Sequence, residues 1–381
     1  MPIVMFLLTT SAFAQQQLDI KQLERDRAVP AADKFLSEKP ITVTASHSPR
    51  SAGGQHDFFS EGDYWWPDTT QPSGPYIQKD GETNPDNFVE HRHAMVRMSI
   101  QVATLTSAWR ITSEKKYADK AIEHLKAWFV DDATKMNPNL QYAQAIKGIS
   151  TGRGIGIIDT VHLIEPAKAA GLLQQAGLLQ GDDLKSIQQW FTDYLTWMTT
   201  SKNGKEEEAA KNNHGTCWHM QVAAFAQFTG DQEKLALCRK WFKEVGLPNQ
   251  LASDGSFPQE LRRTKPYGYS IFNADAMTTL AWIASTPDDN LWEFKTADGK
   301  NLKQAVEYIA PYIADKSKWP KKPDVMFWEF WPVRSPVLLF GELAYHEDKY
   351  LDTWKKLEAN PTNEEVLRNL PIRQPVLWID Q

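Results

Sequence analysis

"CWHMQVAAFAQFTGDQEKLALCRKWFKEVG", residues 217–246, has the pattern of two helices joined by a short polar turn. Apolar residues recur about every 3.6 positions on both sides of that turn. The same pattern is present in residues 91–132 and, more faintly, in residues 336–359. Repeated helical hairpins of changing length favour an α/α toroid over a regular solenoid. We therefore predict an all-α fold, an incomplete (α/α) toroid or barrel of helical hairpins.

Two segments between the predicted helices are long and rich in Gly, Pro and Trp or Tyr. They cover residues 53–88 and 249–270. Loops of this length are uncommon in a compact domain and are often functional. In a toroid the inner helices face one another and the long loops gather at one end, so we predict that these loops form a cleft. No linker interrupts the pattern, which predicts one domain over residues 15–381.

The N-terminal residues "MPIVMFLLTTSAFAQQQ" combine a short apolar core with small residues around Ala14. This pattern predicts a secretory signal peptide over residues 1–14, and therefore a periplasmic or secreted protein. No later stretch has the unbroken apolar length of a membrane span. The two cysteines, Cys217 and Cys238, could pair in an oxidising compartment or remain as buried thiols.

The composition limits the partners of the protein. Across 381 residues the net charge is −6 and the isoelectric point about 5.9, so no overall basic field attracts nucleic acid. An anionic ligand has to be bound by a local cluster of Arg, Lys, His and amide groups. The histidine spacings do not match the HExxH zinc motif, so we predict neither a metal nor another cofactor. We expect a monomer.

Two short segments concentrate polar groups beside apolar runs. "NNHG", residues 212–215, precedes a predicted helix, so that Asn212 could cap the helix while Asn213 and His214 bind a charged ligand. "RRTKPYGY", residues 262–269, sets three cations beside two tyrosines. Positive charge stabilises a phenolate against an unperturbed pKa of about 10. A tyrosine in this segment is therefore a candidate general base near neutral pH.

These groups together suit one reaction, β-elimination in a 4-linked polymer of uronic acids. The proton on C5 is weakly acidic because it lies α to a carboxylate, and its removal builds negative charge on that carboxylate. Amide, imidazole or guanidinium donors can neutralise this charge. A tyrosine can remove the proton and protonate the departing O4. The reaction needs no cofactor.

A resemblance to a known family rests on four segments. They are "WWPDTTQPSGPYIQKDGETNPD" (65–86), "MNPNLQYAQAIKGISTGRGIGIID" (136–159), "NNHGTCW" (212–218) and "FPQELRRTKPYGYSIFNADAM" (257–277). In this order they resemble the alginate-lyase-like α/α toroid polysaccharide lyases, most closely the polysaccharide lyase family 38 group and more distantly the family 5 alginate lyases. The resemblance implies an anionic polysaccharide substrate, either alginate, including polymannuronate, or β-1,4-glucuronan.

The resemblance also implies a catalytic set of Tyr269, His214, Asn213 and Arg263. Asn213 and His214 would neutralise the substrate carboxylate or assist proton removal. Tyr269 would act as both base and acid. An arginine of the preceding segment, Arg263 or its neighbour Arg262, would supply a further positive charge.

Other residues are predicted to bind the substrate, although each has a packing alternative. Tyr267 is also the alternative base. Trp65 and Trp66 could stack on sugar rings or fix a long loop, and His91 and Arg92 could form a buried ion pair instead of touching the substrate. The predicted substrate-binding residues are Arg262, Tyr267, Lys265, Gln144, Arg153, Trp65, Trp66, His91 and Arg92.

Two other functions fit the same sequence. A glycoside hydrolase needs two carboxylates across the scissile bond, for which the pairs Asp254–Glu260 and Asp63–Asp159 are available. A glycan-binding protein without activity would use the tryptophan-rich loops as its binding surface.

Overall fold

The structure is a computed structural model that describes residues 18–379, so the predicted signal peptide lies outside the described residues. Most of the regular structure is helical, and a 3₁₀ segment, Gly154–Leu163, precedes α4. The α-helices are α1 (Ile20–Phe35), α2 (Glu90–Thr112), α3 (Lys115–Phe129), α4 (Ile164–Gln175), α5 (Gly181–Thr200), α6 (Lys202–Glu208), α7 (Asn213–Thr229), α8 (Gln232–Trp241), α9 (Leu247–Gln250), α10 (Pro258–Leu261), α11 (Pro266–Ala284), α12 (Leu302–Ala314), α13 (Pro336–Tyr345), α14 (Lys349–Lys356) and α15 (Glu364–Arg368). The strands are β1 (Phe59–Glu61), β2 (Trp65–Trp66), β3 (Ile77–Gln78) and β4 (Tyr142–Ala145).

The helices pack as an inner series with outer partners. In the inner series α2, α4, α7, α11 and α13 each contact the next helix. Outside them α3 packs on α2, α5 and α8 pack on α7, α12 packs on α11, and α14 packs on α13. The predicted toroid of helical hairpins is confirmed, with the pairs α2–α3, α7–α8 and α13–α14 at the three predicted places.

Inner and outer helices differ in how much of their surface is buried. Nearly every residue of α7 and α11 is buried, as expected for helices that are apolar around most of their circumference and surrounded by other helices. By contrast, α3 and α14 bury one face only and carry charged residues on the other. The core therefore lies between the inner series and its outer partners.

The first turns of three inner helices meet at one end of the toroid. Asp63 contacts Arg92 in the first turn of α2, and the adjacent Tyr64 contacts Tyr269 in the first turn of α11. Glu260, in α10 just before α11, contacts the first residue of α7. The loop residues therefore tie the starts of α2, α7 and α11 together at the predicted cleft.

Short strands order the first long loop, residues 53–88. β1 pairs in parallel with β4, and β2 pairs antiparallel with β3. The hydrogen bond from the N–H of Gly62 to the carbonyl of Ala145, at 2.9 Å, extends the first pairing. This loop is therefore held against the segment that follows α3, although its sequence pattern did not indicate strands.

The second long loop is shorter than predicted, because α11 begins at Pro266. Tyr267 and Tyr269 consequently lie in the first turn of a helix. Proline is favoured at this position because the N–H that it lacks would have no helical partner there. The carboxylate of Asp324 accepts hydrogen bonds from the N–H groups of Tyr267 and Gly268, at 2.8 and 2.9 Å, and so caps the helix.

Two further features concern the core and the membrane. Cys217 and Cys238 are buried free thiols, so the thiol alternative describes the structure. Among residues 18–379 no helix is both long enough and apolar enough to cross a membrane.

Candidate active site

Two tyrosine hydroxyls meet at the start of α11. The hydroxyl oxygens of Tyr269 and Tyr64 lie 2.6 Å apart, within hydrogen-bonding distance. The guanidinium of Arg263 lies 4.6 Å from the centroid of the Tyr269 ring, and the ammonium of Lys265 lies 4.9 Å from the Tyr64 ring and 5.5 Å from the Tyr269 ring. A pair of phenols is therefore flanked by two cations, which are held against the ring faces.

Burial controls the protonation of Tyr269, of which only 8% is exposed. Burial raises the pKa of its hydroxyl well above the usual value, and the neighbouring Tyr64 also raises it, while the charge of Arg263 lowers it. The positive charge of Arg263 thus acts in the direction predicted from the sequence, but burial acts against it and favours the neutral phenol in the protein without substrate.

Of the two neighbouring arginines, Arg263 contacts the tyrosines. Its guanidinium forms two hydrogen bonds with Asp80, from Nη2 at 2.7 Å and from Nε at 3.2 Å, which fix it on the Tyr269 ring. Arg262 is exposed, and its side chain makes no hydrogen bond or ion pair within residues 18–379. The two side chains thus have different surroundings.

Asn213, the first residue of α7, is held by Glu260. Its backbone N–H and its side-chain Nδ2 donate to the two carboxylate oxygens of Glu260, at 2.7 and 2.6 Å. Glu260 is fully buried, and burial raises its pKa although the bonds from Asn213 oppose this effect. The side chain of Asn212 makes no capping bond. The predicted cap by Asn212 is therefore wrong, and a carboxylate from another helix takes its place.

His214 is held by a second carboxylate. Its Nδ1 lies 2.6 Å from Oε1 of Glu207, which belongs to α6 and is only 3% exposed. A ring nitrogen fixed in this way orients the imidazole and leaves Nε2 as the atom available to a ligand. Both members of the Asn-His pair are therefore oriented by a buried acidic side chain.

The segment from Glu260 to Arg263 joins the two halves of the site. The carbonyl of Glu260 accepts a hydrogen bond from the N–H of Arg263 at 3.0 Å. Glu260 therefore contacts Asn213 on one side, while Arg263 contacts Tyr269 on the other. The structure thus brings the four predicted catalytic residues, including His214, into one region.

A buried network of ion pairs lies beside the tyrosines. Its members come from α2, α15, the first long loop, the 3₁₀ segment before α4 and the end of the second long loop, so it ties distant parts of the chain together. The pKa of Asp63 is lowered, because its pairing with Arg368 and Arg92 outweighs burial. The pairs are Arg92 with Asp63 (2.7 Å) and Asp159 (3.3 Å), Arg368 with Asp63 (2.9 Å) and Glu365 (3.1 Å), and Lys265 with Glu365.

This network corrects two predicted substrate contacts. Arg92 is buried and divides its guanidinium between Asp63 and Asp159. Lys265 is buried and pairs with Glu365. Because both charges are already neutralised inside the protein, Arg92 and Lys265 stabilise the site rather than bind the substrate.

Two further predicted contacts are packed into the protein. Nδ1 of His91 accepts a hydrogen bond from the N–H of Phe59, and Nε2 donates one to the carbonyl of Ser46, each at 3.0 Å. Tyr267 is fully buried, and its hydroxyl donates to the carbonyl of Tyr312 at 2.9 Å. Neither side chain has a free polar atom for a substrate, so the prediction for both is wrong. Tyr267 is also excluded as the base.

The remaining predicted binding residues form a group beside Tyr64. Arg153 donates from Nε to the carbonyl of Gln144 at 2.8 Å, and its guanidinium lies 5.8 Å from the Trp65 ring. Arg153 makes no ion pair with any carboxylate of residues 18–379. Burial lowers the pKa of this arginine. Trp66 is half-buried and donates to the carbonyl of Glu82 at 2.9 Å. Arg153 is therefore held by backbone and amide contacts rather than by a direct ion pair.

Solved structures with the same helical arrangement are alginate lyases. One, from Bacteroides ovatus, is 33% identical, with 95% of this chain and 93% of that chain covered and a TM-score of 0.78. Alginate lyase A1-III from Sphingomonas species A1 is 16% identical over 93% of this chain and 95% of that chain, with a TM-score of 0.56. A variant of that enzyme in complex with a tetrasaccharide is 15% identical over 93% of this chain and 94% of that chain, with a TM-score of 0.57. The last two show the shared fold alone. A comparison with curated protein sequences finds no match.

The toroid fold and the similarity to the solved alginate lyase that is 33% identical place the chain among the α/α toroid polysaccharide lyases. The sequence model of the alginate lyase family matches residues 42–319. The chain belongs to the alginate lyase family.

Proposed function

We propose that the protein cleaves a 4-linked polyuronate, alginate or β-1,4-glucuronan, by β-elimination. The observation that carries this proposal is the placement of Tyr269 beside a second hydroxyl and a cation, in one region with the Asn213–His214 pair. The solved alginate lyase that is 33% identical supports alginate as the first polymer to test.

Charge neutralisation is assigned to Asn213 and His214. One hydrogen of the Asn213 amide donates to Glu260, which leaves the second hydrogen for the substrate carboxylate. Nδ1–H of His214 donates to Glu207, so Nε2 donates to the same ligand when the ring carries both protons, as an imidazolium. Donors that are fixed before the substrate binds stabilise the charge that develops on the carboxylate as C5 loses its proton.

Proton transfer is assigned to Tyr269. Its hydroxyl gives up its proton to solvent as the substrate binds, and the phenolate is stabilised by Arg263 and by a hydrogen bond donated from Tyr64. The phenolate takes the C5 proton. The C5–H electrons form the C4=C5 double bond, the C4–O4 bond breaks, and Tyr269 returns the proton to O4. The products are an unsaturated uronate and a new chain end.

The surroundings of the acidic residues disfavour hydrolysis. Asp159 pairs with Arg92 and accepts a hydrogen bond from Ser60 at 2.5 Å, and Asp63 is held in the same network. Glu260 is fully buried behind Asn213. None of these carboxylates is free to act as the second member of an acid–base pair.

The test is a panel of polymannuronate, polyguluronate and glucuronan, read by the ultraviolet absorbance of the unsaturated product. Wild type should produce this absorbance on at least one polymer, and Tyr269→Phe should not. New reducing ends without absorbance would identify a hydrolase. Binding of polymer without either signal would identify a glycan-binding protein.

Export and domain organisation complete the proposal. The chain is proposed to be exported through the signal peptide at residues 1–14 and to act as a monomer with one domain over residues 15–381. N-terminal sequencing of the exported protein tests the cleavage after Ala14, and light scattering tests the monomer.

A further inference from the structure

A cavity of about 900 Å³ lies between the first long loop and the turn that follows β4. Its walls include the side chains of Arg50, Tyr76 and Lys147, and the exposed Ile149 lies at its edge. None of the residues assigned to proton transfer or charge neutralisation lines it. The cavity is therefore separate from the catalytic residues.

The polar walls of this cavity carry a net positive charge. Lys147 is exposed and forms no ion pair within residues 18–379, and its ammonium lies 5.5 Å from the centroid of the Tyr76 ring. Arg50 binds Glu61 with two hydrogen bonds, at 2.7 and 2.5 Å, yet 43% of its side chain stays exposed. Two cations thus face one carboxylate, and an aromatic ring lies next to them.

Tyr76 also faces Arg50. The hydrogen bond with Glu61 raises the pKa of Arg50, and the hydroxyl of Tyr76 contributes in the same direction. Tyr76, Arg50 and Lys147 all line the same cavity, so that a ligand inside it can contact the ring and both cations.

Backbone contacts hold the cavity in shape without a ligand. The N–H of Tyr76 donates to the carbonyl of Lys147 at 3.1 Å. Gly148 has φ of +77°, and a Cβ there would lie 2.8 Å from Cα of Pro75. Only glycine allows the turn to approach the loop so closely. A preformed concave site with a few polar groups is the usual form of a small-ligand site.

The cavity adjoins the substrate-binding group through the strand pair. Gly62 bonds to Ala145, a cavity residue, and directly precedes Asp63 and Tyr64. Arg153, which forms no ion pair within residues 18–379, bonds to Gln144 in the same strand. The cavity and Arg153 thus lie at the same strand pair.

We propose that this cavity is a distal binding site for a uronate unit of the polymer. Arg50 and Lys147 bind the carboxylate, and the ring of Tyr76 packs on the apolar face of the sugar. The proposal rests on the proposed function, since it takes the same polymer as its ligand. A short oligouronate that fills only the catalytic region does not reach this site, whereas a longer polymer does.

The test compares long and short substrates in Lys147→Ala and Tyr76→Ala. KM for the polymer should rise about tenfold, as expected for the loss of one bond to a charged group. KM for the shortest oligouronate that is cleaved, and kcat for both substrates, should remain at the wild-type values. Lys115→Ala, at an exposed lysine of α3, is the matched control and should change neither KM.

Two outcomes would overturn the distal site: an unchanged KM for the polymer in both variants, or equal changes for long and short substrates. A wild type that yields no unsaturated product from any polymer would instead refute the proposed function. Calorimetric titration with long oligouronates then still tests the cavity. Lys147→Ala should weaken that binding about tenfold in the Tyr269→Phe background, and unchanged binding would overturn the site.

Discussion

The candidate active site has two halves, a tyrosine half and an amide half, and the side chains that contact them carry opposite charges. Cations flank the tyrosine half, where Arg263 and Lys265 lie against the rings of Tyr269 and Tyr64. Carboxylates support the amide half, where Glu260 binds Asn213 and Glu207 binds His214. Carboxylates next to a site for an anionic polymer are unexpected, and the difference shows what each half has to do.

In the proposed mechanism the tyrosine half has to change its protonation state. Burial raises the pKa of Tyr269, and the charge of Arg263 acts against this effect. The amide half has to keep its donors in place. A buried carboxylate with two N–H donors fixes the side chain of Asn213 although it adds no attraction for the substrate. Cations thus act on proton transfer, whereas carboxylates act on geometry.

The largest effect is expected from Tyr269→Phe. The ring and its packing remain, but no hydroxyl is present to take the C5 proton or to protonate O4. We expect kcat to fall by at least about 10³-fold with polymer affinity retained. The ultraviolet assay and a calorimetric titration measure the two quantities, and a thermal melt checks that the variant is folded. Turnover near the wild-type rate would assign the base to another group.

A smaller loss is expected from His214→Ala on the amide side. Removing one fixed donor to a developing negative charge lowers kcat by about 10²-fold. Glu207→Gln should lower kcat less, because the imidazole remains. If Glu207 acts only through His214, Glu207→Gln should cause no further loss of kcat in the His214→Ala background. Additive losses would show that Glu207 contributes to the site independently of the histidine.

A still smaller loss of activity, together with a shift of the pH profile, is expected from Arg263→Gln. Arg263 lowers the pKa of Tyr269, so its removal raises that pKa and the phenolate forms only at higher pH. The acid side of the kcat/KM profile should therefore move to higher pH, and activity at neutral pH should fall roughly tenfold. The exposed neighbour offers a matched control, because Arg262→Gln should leave the profile unchanged. A shift of equal size in both variants would contradict the assignment.

Much of the fold could be predicted from the sequence because the signals are local. Apolar spacing, short polar turns and repetition of the pattern identified the hairpins, including the pair α7–α8. The catalytic candidates were found for a similar reason, since Asn213 with His214 and Arg263 with Tyr269 each lie within a few positions. The family resemblance of these segments then indicated their roles.

The partners of these residues could not be predicted, because they are distant in sequence. Tyr64 contacts Tyr269 from 205 residues away, and Glu365 contacts Lys265 from 100 residues away. From the sequence, Glu260 is a candidate only for a hydrolase pair, and negative charge next to an anion site goes against simple complementarity. No local pattern in the sequence indicates these contacts.

Burial and side-chain direction account for the wrong predictions. The sequence showed the cations beside Tyr269 but not the burial that outweighs them. Tyr267 and Tyr269 lie two positions apart near the start of one helix, about 200° around its axis. One hydroxyl therefore meets Tyr64, while the other is buried against Tyr312. Because α11 begins at Pro266, the helical spacing of the two tyrosines directs their hydroxyls to different surroundings.

The smallest effect is expected from Tyr64→Phe, which tests whether the two bonded hydroxyls are equivalent. Tyr64 donates a hydrogen bond to the phenolate of Tyr269 but takes no proton from the substrate. Its loss should lower kcat by about three- to tenfold, the range for one hydrogen bond. In the Tyr269→Phe background the same change should have no further effect, because the acceptor is already gone. Equal losses in the two single variants would make the hydroxyls interchangeable, and proton transfer could then no longer be assigned to the tyrosine of α11 alone.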